Sequence, residues 1–180
     1  LGSRGNAPDP FFCFVPFNGP YGHWPAIRGE SQTRFDEIYH DLPLHSIPRE
    51  GLNRRVIERY TQRVVEAGGT PHERFAGPLL LPNDTTSLRN YFAQTSLIDD
   101  AVGRIMTALD ENGLAEDTII IYTADHGFSL GHHGIWGHGL AAWPSSMLRP
   151  SYHVPLVMAG PGIAIADHDG LVSQIDIPNT

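Results

Sequence analysis

Thr118-Ile119-Ile120-Ile121-Tyr122-Thr123-Ala124-Asp125-His126-Gly127 is the stretch from which the fold is read. Its first six residues are β-branched, apolar or aromatic, the composition of a strand. Asp125 and His126 then fall at the strand's carboxyl end, where open α/β sheets bind their ligands. A carboxylate oxygen and an imidazole nitrogen together suit a divalent cation, and Gly127 lets the backbone turn away sharply. Taken alone, the tripeptide reads first as a capped turn in which Asp125 accepts backbone hydrogen bonds.

Upstream, Leu88, Phe92, Thr95, Ile98, Val102, Ile105 and Leu109 recur with helical spacing, Asp84 or Thr85 can cap the start and Gly113 can end the run. This spacing predicts a helix over residues 85–112. Downstream, Val154-Pro155-Leu156-Val157-Met158-Ala159 before Gly160-Pro161-Gly162 predicts a second strand and a turn. Further out, Leu52, Val56, Tyr60 and Val64 lie four apart ahead of Gly68-Gly69, which predicts a helix over 49–66. Residues 10–17 are almost wholly apolar and aromatic, as in a strand covered on both faces, with Cys13 a packed and inert thiol inside it. Between them, 18–50 reads as a long connection at the mouth of a site, with one short helix near 31–40. Buried strands alternating with helices define an α/β sheet with helices on its faces.

Composition narrows the partners. Twelve basic residues, every one an arginine, stand against twenty acidic ones for a net charge of -8, and no basic stripe offers itself to nucleic acid. No apolar run approaches the roughly 20 residues that cross a bilayer. A chain that opens on Leu1 and stops at Thr180 is expected to be an internal piece of a longer protein.

The residues after Gly127 change the weight of the Asp-His pair. Leu130-Gly131-His132-His133-Gly134-Ile135-Trp136-Gly137-His138-Gly139 adds three histidines, so that 126–138 holds four of the chain's ten. Titratable rings at this density rarely serve packing alone. With Thr123-Ala124-Asp125-His126-Gly127 before it, and Val154-Pro155-Leu156 and Gly160-Pro161-Gly162 after it, this order resembles the C-terminal part of a sulfatase catalytic domain, in the alkaline phosphatase superfamily. Asp99-Asp100-Ala101-Val102-Gly103-Arg104, Asp117-Thr118-Ile119 and Leu171-Val172-Ser173-Gln174-Ile175-Asp176 extend the resemblance across most of 85–180, with a weaker patch at 10–25.

The resemblance implies a central mixed, largely parallel sheet flanked by helices, here incomplete. It implies hydrolysis of a small-molecule or saccharide sulfate ester by a formylglycine nucleophile held by a divalent metal, usually Ca2+, with Mg2+ or Zn2+ as alternatives. Asp125 and His126 match one pair of metal ligands, the other acidic ligands lying outside the chain. His138 stands where the family usually has a Lys that binds sulfate and assists the leaving oxygen; a protonated His can donate there as a general acid. His133 matches a position that orients loop or substrate, whereas His132 is expected to be structural. In Asn18-Gly19-Pro20-Tyr21-Gly22-His23-Trp24-Pro25, the sulfate-contacting histidine of the family falls on Tyr21 in direct register, and His23 is the favoured substitute two residues later. Trp24 and Trp136 are read as walls that exclude water. Cys13 is followed by Phe14-Val15-Pro16-Phe17 and does not match the Cys-x-Pro-x-Arg formylglycine motif, so the nucleophile is expected outside this chain. A zinc phosphodiesterase or phosphonate hydrolase of the same superfamily and a noncatalytic piece are the competing readings. Sulfatases of this kind suggest a periplasmic or secreted setting.

Overall fold

A computed structural model describes residues 10–20, 33–45, 54–69, 85–130, 132, 136–137 and 148–179. Helix α1 covers Asp36–Tyr39, α2 Arg54–Glu66, α3 Thr85–Glu111 and α4 Arg149–Tyr152. Strand β1 is Ile120–Thr123, β2 Ser129–Leu130, β3 Trp136–Gly137 and β4 Leu156–Ala159, and a short 3-10 helix closes the chain at Gln174–Asn179.

The two longer helices end where their glycines allow. At α3, Gly113 adopts φ 63°. Its N–H bonds the Asp110 carbonyl at 2.9 Å while Leu114 N–H reaches back to Leu109 O at 2.8 Å, the paired closure of a Schellman end. Gly68, at φ 74°, does the same for α2, with Gly69 N–H on Val64 O at 2.8 Å. Of the apolar stripe anticipated on α3, Leu88 and Leu109 are buried and Phe92, Ile98, Val102 and Ile105 half-buried; Thr95 is exposed and turns its hydroxyl onto the Tyr91 carbonyl at 3.0 Å.

The core gathers at the N-terminal half of α3. Leu88, 2% exposed, and Leu130 form its centre, with Leu44, Tyr91, Phe92 and Phe128 packed around them. The Tyr91 ring lies 5.5 Å from that of Phe128. Two of these partners, Phe128 and Leu130, come directly after Gly127, so the core sits under the turn that carries Asp125 and His126. Continuing the row that begins at Leu88, Phe92, Ser96 and Asp100 of α3 receive the segment 33–45. Tyr39 stacks on Phe92 at 5.7 Å, its hydroxyl hydrogen-bonds Ser96 Oγ at 2.6 Å, and Arg34 pairs with Asp100. The connection expected around a short helix near 31–40 is thus strapped to the long helix.

Strands β1 and β4 pair antiparallel, from Ile120 opposite Ala159 to Thr123 opposite Leu156. Strands β2 and β3 also pair antiparallel, Ser129 opposite Gly137 and Leu130 opposite Trp136. An α/β composition therefore holds, but the parallel pairing expected of the sheet is not found among the described residues: each ladder is made by a chain that leaves and comes back, with no crossover between like-directed strands. Nor are β1 and β4 covered on both faces. Ile121, Tyr122 and Val157 are exposed, because among the described residues the ladder has only two strands and no third pairs with its edges. The same lack of neighbours corrects the reading of 10–17, which forms no strand and leaves Phe12, Phe14 and Cys13 exposed. An apolar run meets the composition of a covered strand, but its ladder needs a partner, and among the described residues none runs beside it.

Candidate metal-ligand site

The turn after β1 is shaped by three contacts that spacing alone does not disclose. Gly127 donates its N–H to the Ser151 carbonyl at 2.9 Å, tying the turn to α4. The approach is so close that a Cβ on Gly127 would meet the Pro150 carbonyl, its carbon at 2.9 Å and its oxygen nearer still. Gln174, half a hundred residues further on, donates from Nε2 to the Ala124 carbonyl and to Thr123 Oγ1, the latter at 3.3 Å.

On this frame Asp125 projects a carboxylate that is 89% exposed. Its Oδ1 accepts the His126 N–H at 2.9 Å, the capped-turn bond expected of such a tripeptide. The His126 ring is held by Nδ1, 2.9 Å from the Gly127 carbonyl. A carbonyl can only accept, so Nδ1 carries the proton and the neutral ring keeps its lone pair on Nε2. That atom lies 3.8 Å from Asp125 Oδ1. Donors at 2.0–2.6 Å from one cation stand about 3–4 Å apart, so the separation fits two ligands of a common ion. A backbone carbonyl orienting the far nitrogen is the usual support of a metal-binding histidine. The turn and the ligand pair are compatible uses of the same residues. Among the described residues no group of three or more His, Cys, Asp or Glu side chains gathers to hold a metal.

His132 accepts the Leu130 N–H on Nδ1 at 3.4 Å and is half-buried, in keeping with a structural role. Tyr21, His23, His133 and His138 lie outside the described residues, as does Trp24. Beneath the turn, burial and then the neighbouring Tyr122 raise the pKa of the Tyr91 hydroxyl. Gln174 and the Pro150–Ser151 backbone are the site contacts the sequence reading missed. Gly127 carried the signal for the second, since a glycine after a candidate ligand permits close backbone approach as well as a turn; Gln174 carried none.

The frame combines helices with short strands and sets a carboxylate and an imidazole side by side at a strand end. The family profile described as Sulfatase matches residues 3–180, and the chain belongs to that family. Choline-sulfatase of Rhizobium meliloti (strain 1021) is 36% identical over 172 residues, covering 95% of this chain and 30% of the relative. Human iduronate 2-sulfatase is 40% identical over 86 residues, 48% of this chain and 14% of the relative. The chain thus spans less than a third of the length of these relatives. A solved structure of a protein in complex with its substrate D-glucosamine-2-N,6-O-disulfate aligns over 75% of this chain and 26% of that one, at 22% identity and a TM-score of 0.39.

Proposed function

We propose that this chain is part of a sulfuric ester hydrolase and supplies Asp125 and His126 as two ligands of its divalent metal. The observation that carries the reading is the pair itself: Asp125 Oδ1 and His126 Nε2 stand 3.8 Å apart, with the histidine tautomer set by the Gly127 carbonyl. Membership of the sulfatase family and the sulfatases among its relatives support the reaction class. Calcium is the favoured ion, with Mg2+ as an alternative, because an exposed carboxylate is a hard oxygen donor; the imidazole keeps Zn2+ as a further alternative. When bound, such an ion draws charge from a sulfate oxygen and favours the ionised nucleophile, a formylglycine hydrate contributed from outside this chain.

The chain's own residues then divide the remaining work. Asp125 and His126 bind and orient. His138 follows β3 directly in sequence and takes the role of the usual Lys, donating a proton to the leaving oxygen. His23, or Tyr21 through its hydroxyl, meets the sulfate, and His133 orients substrate. A largely parallel sheet is completed by strands beyond this piece of the catalytic domain. The substrate class is a small-molecule or saccharide sulfate ester, in keeping with the named substrates of the relatives.

The test uses the full protein that carries this chain. Its metal content is measured, and turnover is followed on choline sulfate, an aryl sulfate and sulfated monosaccharides beside the matching phosphate esters. Sulfate-ester cleavage that falls at least about a hundredfold in Asp125→Ala supports the proposal, two orders being the scale of losing a positioned electrostatic group. A preference for phosphate esters with bound zinc would overturn it in favour of a phosphoesterase.

A further inference from the structure

We infer that Gln174 is a positioning residue for the Asp125–His126 pair, holding the strand end from which both project; this rests on the metal-ligand reading above. The pairing of β1 with β4 stops at Thr123 opposite Leu156. The next carbonyl, Ala124 O, belongs to the peptide that begins Asp125, and Gln174 Nε2 supplies its donor while also reaching Thr123 Oγ1 at 3.3 Å. One side-chain amide therefore ties the last residue of the ladder to the first peptide beyond it.

The amide is itself anchored. Asp176 Oδ2 accepts the Ser173 N–H at 3.0 Å, and Asp176 N–H returns to Ser173 O at 2.9 Å. This reciprocal pair starts the 3-10 helix at Gln174 and fixes the backbone from which its amide extends. On the opposite side of the turn, Gly127 N–H is fixed to Ser151 O. The four residues 124–127 are thus pinned at both ends by segments distant in sequence, and the ligand pair lies between the pins. Loss of one pin lets the Asp125 carboxylate wander without removing any donor atom from the site. Outer contacts of this kind set metal affinity by about 10–100-fold.

The experiment compares the full protein with Gln174→Met, which keeps the side-chain length but not the donor, and with Asp125→Ala. Calcium affinity is measured by titration, and backbone amide exchange over 120–128 is followed in the metal-free protein. Gln174→Met is expected to weaken Ca2+ binding about tenfold and to speed exchange in that segment, with Gln174→Asn restoring part of each. Wild-type exchange and affinity in Gln174→Met would overturn the positioning role, and a loss of Ca2+ binding in Asp125→Ala would then leave the metal reading standing. Unchanged Ca2+ affinity in Asp125→Ala, with faster exchange in Gln174→Met, would overturn the metal reading and keep Gln174 as the holder of the strand end.

Discussion

Gly127→Ala puts a methyl group where the turn meets α4. The new Cβ would stand 2.9 Å from the Pro150 carbonyl carbon and 3.1 Å from that of Ser151, with the Pro150 oxygen closer than either. Atoms of this kind do not approach so near, and the obstacle is backbone rather than the far end of a flexible side chain. The segments must separate, straining a packed contact at a cost of about 1–3 kcal/mol. Separation also stretches the Gly127–Ser151 hydrogen bond, 2.9 Å long, worth about 0.5–1.5 kcal/mol. Alanine restricts the unfolded chain and returns about 0.4–1 kcal/mol. The middle of these ranges is a loss of about 2 kcal/mol. At a urea m-value of about 2 kcal/mol/M the midpoint should fall by about 1 M. Gly103→Ala is the control, since a Cβ there meets nothing within 4 Å on the exposed side of α3. That change should raise stability by about 0.5–1 kcal/mol through helix propensity. Gly127→Ala as stable as the parent would refute the close approach, and with it the account of how the ligand pair is held.

Leu88→Ala empties the centre of the core beneath the turn and should cost about 2–5 kcal/mol in chemical denaturation, whereas Leu97→Ala on the exposed face should cost under about 1 kcal/mol. Burial, and then Tyr122, raise the Tyr91 pKa, so the folded state resists ionising this phenol. Its contribution is whole below the unfolded value near 10 and is lost as pH rises above it; Tyr91→Phe should flatten the fall in melting temperature above about pH 10. His138→Ala in the full protein should lower kcat by about 10²–10⁴-fold, while His138→Lys should keep activity and shift the upper limb of the pH–rate profile to higher pH. Wild-type rates in the alanine variant would remove His138 from the chemistry.

Local signals were legible in the sequence and long-range ones were not. The stop of α3 at Gly113 and of α2 at Gly68 follow from single glycines, and the buried positions Leu88 and Leu109 follow from helical spacing. The strand before Asp125 and its return partner at 156–159 were readable from β-branched runs. Covering was not readable from the same runs. Phe11 to Phe17 and Ile119 to Thr123 have the composition of buried strands, but burial is a property of neighbours, and an apolar run carries no record of whether they share its chain. At the site, the Asp-His pair was legible as chemistry, because a carboxylate and an imidazole together narrow what can bind. Its supports were not: Ser151 and Gln174 are brought to it by tertiary folding, and neither has a motif that addresses residue 124 or 127.

The hydrogen bond from Gly127 to Ser151 has an evolutionary reading. It staples the point where the chain leaves the ligand pair to the point where it comes back, so the intervening loop starts and finishes at one fixed place. Doubling the length of such a loop changes its closure cost by only about 0.6 kcal/mol. Insertions between these two points therefore transmit little strain to Asp125, and the length of chain between them can change while the turn at 124–127 stays where it is.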